Sequence, residues 1–273
     1  MITAAILFLN GFIFTKIFVK MSLKMLIESG ITYPNYKGVP IPASMGISII
    51  LGTICASLLL TVLGLIQPEF MNQYVLMATI IGIIGMVDDF TYPNNHSKGF
   101  KGHIRNFMKG NLTTGMLKAV FGFTVACVVS LFLSTDFINV ILNTMIISFT
   151  TNLLNLLDTR PLRAIKAYGI IMIFILFTSD IILAGYVVIG AIVAYFPVEK
   201  NEQGMLGDSG SNFLGALAGM HLVLTYENIY IRLFLFIFVF LLNLLSEKYS
   251  FSAIIENNSV LRYIDYLGRK KEH

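Results

Sequence analysis

Apolar residues in this chain come in long runs, not in strict alternation. Nine runs stand out, over residues 2–19, 42–66, 70–88, 113–133, 137–157, 164–179, 181–198, 208–225 and 229–246. A half-buried strand would alternate with period two, whereas a helix crossing the hydrocarbon core needs about 20 consecutive apolar residues. The pattern predicts an all-α, polytopic membrane helix bundle of about nine transmembrane helices. Only Thr178-Ser179-Asp180 separates the sixth run from the seventh.

Charge decides whether those two runs are one helix or two. With the N-terminus outside and nine crossings, 18 of the 19 lysines and arginines fall on the inner side, and Arg232 alone falls outside. Inner loops of membrane proteins are enriched in exactly these residues. Merging the sixth and seventh runs would send Lys200 and the basic tail to the outer side. The expected topology is therefore N-terminus outside and C-terminus cytoplasmic, in one domain over 1–273 with a cytoplasmic tail at 247–273. The first run, 2–19, has no small-residue cleavage site after it and reads as a retained span. The long connections, 20–41, 89–112 and 247–273, are all inner ones, which points function to the cytoplasmic face of the cell membrane.

Composition agrees with that reading. The chain is 56% hydrophobic and only 12% charged, with a mean hydropathy of +0.79. Its net charge of +4 reads as loop bias and not as nucleic-acid binding. Cys55 and Cys127 each lie within an apolar run and read as buried thiols without a redox role.

Three polar groups break the apolar pattern at inner span ends. Asp88-Asp89 closes the third run in "GIIGMVDDF". Asn152, Asn155 and Asp158 close the fifth in "NLLNLLD". Asp208 opens the eighth in "GMLGDSGSNFLGALAG". Read singly, each has a plain explanation: a solvated boundary acid, a pair of interhelical hydrogen-bonding asparagines, a helix N-cap. Read jointly, four carboxylates fall at one depth, and adjacent carboxylates repel unless a cation holds them. Oxygen ligands in this number suit Mg²⁺ or Mn²⁺, with a substrate diphosphate completing the shell. Asn152, Asn155 and Asp158 recur every three residues and so share one helix face.

Basic loops supply the complement. Residues 97–115 carry Lys98, Lys101, His103, Arg105 and Lys109, and 158–166 carry Arg160, Arg163 and Lys166. They read either as topology signals or as a phosphate-binding surface in which Lys98, His103, Arg105, Arg160 and Arg163 grip a diphosphate. Pro161 disfavours helix at residue 160, so the chain is expected to turn just after Asp158.

The three motifs, with "GVPIPASMGISI" at 38–49, resemble the polyprenyl-phosphate glycosyl-1-phosphate transferases. That superfamily includes phospho-N-acetylmuramoyl-pentapeptide transferase and the GlcNAc-1-phosphate transferases. The likeness covers most of the chain. It implies an integral membrane enzyme whose lipid phosphate attacks the β-phosphorus of a UDP-sugar and releases UMP, with Mg²⁺ as cofactor, in cell-envelope glycan synthesis. By that match Asp158 is the principal metal ligand. Asp88 and Asp89 position or deprotonate the lipid phosphate or help to hold the metal. Asn152 and Asn155 line the nucleotide pocket, and Asp208 supports the site as a further metal or substrate group. Implied partners are a polyprenyl phosphate, a nucleotide sugar and the membrane, and a homodimer is compatible with the reading.

The chain departs from the family's pattern after Asp158. There Thr-Arg-Pro-Leu-Arg-Ala replaces the usual Gly-Leu-Asp-Gly-Leu, and the histidine-rich inner loop near the C-terminus is missing. This implies a divergent branch with an altered sugar or nucleotide pocket, in which Arg160 and Arg163 take over diphosphate binding. Two other readings compete. One is a catalytically silent homologue that binds lipid phosphate or scaffolds envelope enzymes. The other is a transporter, which would place its acids near the bilayer midplane rather than at span ends.

Overall fold

The computed structural model describes residues 2–91, 110, 113–178 and 185–269. Its described architecture is all-α apart from one short hairpin. Helix α1 (Ile2–Glu28) is followed by β1 (Thr32–Pro34) and β2 (Pro40–Pro42), then α2 (Ile47–Val62). A turn at Pro68–Phe70 and a π-helical turn at Met71–Val75 lead into α3 (Leu76–Thr91). Then come α4 (Thr114–Leu133), α5 (Phe137–Leu157), α6 (Arg163–Thr178), α7 (Gly185–Lys200), α8 (Gly207–Thr225) and α9 (Ile229–Lys248). Two short helices close the chain, α10 (Phe251–Asn257) and α11 (Ser259–Tyr266).

Each expected span has a helix, but not all have equal span character. Five are long and apolar enough to cross a membrane: Ile2–Glu28, Gln73–Thr91, Thr114–Leu133, Phe137–Leu157 and Ile229–Lys248. Helix α2, Ile47–Val62, is a shorter apolar helix. Over their described residues α6 and α7 have 16 residues each, about 24 Å at 1.5 Å per residue. The expected turn at residues 178–180 falls at the edge of the described residues, and 179–184 lie outside them.

Two features differ from the sequence reading. The first helix runs to Glu28, nine residues past the apolar run, because Lys16, Lys20 and Lys24 at fourfold spacing continue a helix surface instead of ending it. The stretch expected as a plain loop holds an antiparallel pair with Tyr33 opposite Ile41. Its turn is tied by Asn35, whose side-chain oxygen accepts the N–H groups of Lys37 (2.9 Å) and Val39 (3.0 Å), and Gly38 supplies the left-handed residue.

Helix α8 is the hub. It is buried from Ser209 through Val223 and packs against α3, α5 and α6, while α1 packs along α7 and α2. A helix buried all round belongs at the centre of a bundle. Its approach to α3 depends on Gly85, where a Cβ would overlap the carbonyl oxygen of Asp208. That contact brings the end of α3 to the start of α8.

Candidate functional site

The three acidic motifs meet at one end of the bundle. Asp88, Asp89, Asp158 and Asp208 all line a pocket of about 520 Å³, a size typical of small-molecule sites. Asp88 and Asp89 come from the last turn of α3, Asp158 caps the C-terminus of α5, and Asp208 stands in the first turn of α8. The β1–β2 hairpin and the Asp158–Pro161 turn complete the wall.

The acids divide among few partners. Asp89 accepts the backbone N–H groups of Asp208 (2.9 Å) and Ser209 (3.1 Å), so its carboxylate caps α8 from another helix. Gly207 precedes that cap with φ +72, and a Cβ there would come within 2.7 Å of the Asp89 carboxylate. Asp88 pairs with Lys118 Nζ at 3.1 Å, and the same ammonium pairs with Asp208. The Asn155 amide lies between Asp208 Oδ1 and Lys118 Nζ, and hydrogen-bond complementarity assigns its nitrogen to the carboxylate and its oxygen to the ammonium. Asp158 is half-buried on the pocket wall, in the field of three other carboxylates. Burial, then the negative charges of Glu199, Asp208 and Asp89, push its carboxyl well above the usual range, against the backbone N–H of Gly207.

Two site residues carry no motif in the sequence. Lys118 reads there as one more inner-side charge, yet it bridges Asp88 and Asp208. Glu199 stands outside all three motifs, yet it is buried. Its two oxygens accept the N–H groups of Leu162 (2.9 Å) and Leu206 (3.2 Å). Glu199 thereby ties the turn after Asp158 to the turn before Asp208. Leu162 adopts φ 69 there, a conformation unusual for a side-chain-bearing residue.

The expected binding residues separate. Arg160 lines the pocket and places its guanidinium 4.4 Å from the Tyr36 ring centroid, with Glu256 at 3.2 Å. Arg163 does not line it. Its guanidinium is 5% exposed and grips Asp265 through two bonds of 2.7 and 3.0 Å. The likeness of the two arginines is thus a correction to the sequence reading: the left-handed turn at Leu162 sends one into the pocket and the other to the C-terminal helix. Asn152 likewise turns away and donates to Asn243 of α9 at 2.7 Å, the interhelical bond that was its plain alternative. Lys98, His103 and Arg105 lie outside the described residues.

The rim carries further charge. Tyr36 donates to Glu202 (2.8 Å), which also pairs with Lys37 (2.8 Å), and Arg269 donates to the Tyr36 hydroxyl at 3.2 Å. The Glu202 carboxyl loses solvent by burial, which alone would raise it. The Lys37 and Tyr36 bonds outweigh that and hold it below its ordinary range.

As a cation site the pocket offers oxygen only, the donor type that Mg²⁺ and Mn²⁺ prefer. Among the described residues no group of three or more acid, histidine or cysteine side chains is placed to hold a metal ion. An ion here would therefore need a substrate's phosphate oxygens or water to fill its shell. The chain matches no protein-family model and no curated protein.

Proposed function

We propose that this chain is a membrane-embedded transferase that moves a sugar-1-phosphate from a UDP-sugar to a polyprenyl phosphate and releases UMP. One observation carries the reading: three motifs, far apart in sequence, place Asp88, Asp89, Asp158 and Asp208 around one pocket at one end of an apolar bundle. A polyanionic donor and a lipid headgroup acceptor would meet at such a boundary. We place this end of the bundle at the cytoplasmic face, with α1 to α9 as spans and the N-terminus outside, because that orientation keeps nearly all basic residues on one side.

In this reading a lipid phosphate oxygen bonds to the β-phosphorus of the donor while the bond to the UMP oxygen breaks. Mg²⁺, held by the diphosphate's own oxygens with support from Asp158 and from Asp88 or Asp208, would supply charge neutralisation on the diphosphate. Lys118 links Asp88 to Asp208, and Asn155 lies against Asp208 and Lys118. Asp89 and Glu199 are positioning residues, since they anchor the turns that carry Asp208 and Asp158. Arg160, over the Tyr36 ring, faces the donor diphosphate, where a planar guanidinium grips two oxygens.

A specific observation favours a second reading. The Lys118 ammonium already fills the space between Asp88 and Asp208, as it would in a silent homologue that only binds lipid phosphate. Purified protein with a polyprenyl phosphate, Mg²⁺ and a panel of radiolabelled nucleotide sugars separates the two. Label entering the lipid phase supports transfer. Lipid-phosphate binding without label transfer from any donor supports the silent binder.

A further inference from the structure

The C-terminal helix is built inside out. In α11, Ser259–Tyr266, the buried residue is an acid: Asp265 is 6% exposed, while Val260 and Tyr263 are 65% and 68% exposed. Val260, Tyr263, Ile264 and Leu267 follow the i, i+3, i+4, i+7 spacing of one helix face. That face points away from Asp265. The side holding the helix to the protein is polar throughout. Asp265 binds Arg163 and Arg269, and Lys166 Nζ donates to the carbonyls of Ile264 (2.9 Å) and Asp265 (2.6 Å). Asn258 caps the other end by accepting from Val260 (3.1 Å) and Leu261 (3.0 Å). A helix held to the protein at its C-terminal end by a buried ion pair, with its apolar stripe turned outward, is shaped for something apolar beyond the protein.

Its position says what that is. Only Tyr249 and Ser250 separate α10 from α9, a helix long and apolar enough to span a membrane. Arg163 and Lys166, which hold α11, begin α6 directly after the turn that ends α5. The stripe therefore sits level with the ends of the membrane helices. Tyr249, Tyr263 and Tyr266 are exposed there, and tyrosine is enriched at the headgroup level. Lys248 and Arg262 are near the stripe in sequence and are balanced by Glu247 and Glu256. The apolar stripe and the tyrosines, not net charge, therefore favour the membrane surface, and the long basic side chains can reach the headgroups.

We infer that α10 and α11 form an interfacial anchor, with Val260, Tyr263, Ile264 and Leu267 seated in the lipid leaflet on the pocket's side and the basic side chains reaching the headgroups. This rests on the membrane reading of the long helices and not on the transfer chemistry. The anchor ends at Arg269, whose guanidinium meets Tyr36 on the pocket wall, so lipid contact and pocket rim belong to one connected segment.

The chain has no tryptophan, so Tyr263→Trp and Val260→Trp each give a single-reporter full-length protein, at exposed positions that tolerate the larger ring. Each is reconstituted into nanodiscs, one protein per disc, made of phosphatidylcholine and phosphatidylglycerol with or without bromine near the head end of the acyl chains. The expected result is blue-shifted emission, about twofold quenching by brominated lipid, and weak quenching by acrylamide. Strong acrylamide quenching with no effect of bromine in both variants would overturn the anchor. Blue-shifted emission that bromine leaves untouched would also overturn it, because a protein surface, and not lipid, would then cover the stripe.

Discussion

At the scale of single residues, the site is defined by which charge each carboxylate faces. Lys118 is the most telling case, because one ammonium pairs with both Asp88 and Asp208. Replacing it with methionine leaves two carboxylates facing each other, which a divalent cation would relieve. Lys118→Met is expected to bind Mg²⁺ or Mn²⁺ about tenfold more tightly, the scale of a one-charge change in a half-buried site, while transfer falls. Titration calorimetry reads the binding, and unchanged or weaker affinity would argue that the acids do not form a cation site. Arg160 and Arg163 make a second pair of tests. Arg160→Lys loses the planar guanidinium over Tyr36 and should weaken nucleotide-sugar binding by about 1–3 kcal/mol. Arg163→Lys should leave that affinity unchanged, because Arg163 serves Asp265. The four acids were legible because ionisable groups are costly at membrane depth and stand out from apolar runs. Lys118 and Glu199 were not, since a lysine near a span end reads as topology, and an acid's partner 37 residues away cannot be seen along the chain.

At the scale of elements, the site depends on how closely α3 and α8 approach. Gly85 lets the Asp208 carbonyl come in against α3, and Asp89 then caps α8 across the gap. Gly85→Ala sets two effects against each other. Alanine gains about 1 kcal/mol of helix propensity, whereas overlap with fixed backbone in a packed core costs about 1–3 kcal/mol. The overlap should win, because a backbone carbonyl cannot rotate aside as a side chain can. The variant is expected to unfold at lower temperature in detergent, and a raised melting temperature would show that α3 and α8 are not pressed together. The long helices were legible from apolar runs alone. The β1–β2 hairpin was not, because Pro34, Pro40 and Pro42 hide strand character, and its pairing is fixed by Asn35 and Gly38 in the turn. The helices of the tail were hidden for another reason: α11 turns its apolar stripe outward and buries an acid, the reverse of the usual soluble pattern.

At the scale of the whole molecule, the C-terminal segment is latched to the pocket end through Asp265. Burial alone would raise this carboxyl, but the bonds and charges of Arg163, with the charge of Arg269, overcome it and hold the group below its ordinary range. A depressed folded value means that the latch contributes fully above the ordinary carboxylate pKa of about 4 and is lost as pH falls through the lower folded value. Limited proteolysis between residues 247 and 258 should therefore be slow near neutral pH and faster below about pH 4. Asp265→Asn should be cleaved faster already at neutral pH, since it leaves Arg163 buried without its counter-charge. Equal rates for wild type and variant across that range would show that the ion pair does not hold the tail. The central claim, that the four converging acids run a phosphotransfer, is tested most directly by the fate of the donor's β-phosphorus. Wild type and Asp158→Asn are purified, both shown to be folded, and given polyprenyl phosphate, saturating Mg²⁺ and UDP-sugars labelled at the β-phosphate, including UDP-GlcNAc. Wild type should carry the label into the lipid phase with equimolar release of UMP, and Asp158→Asn should lose at least about 100-fold in rate, as expected when a group that stabilises the transferring phosphoryl is removed. Equal label transfer by both proteins, or UMP release with the label left in water, would contradict the account.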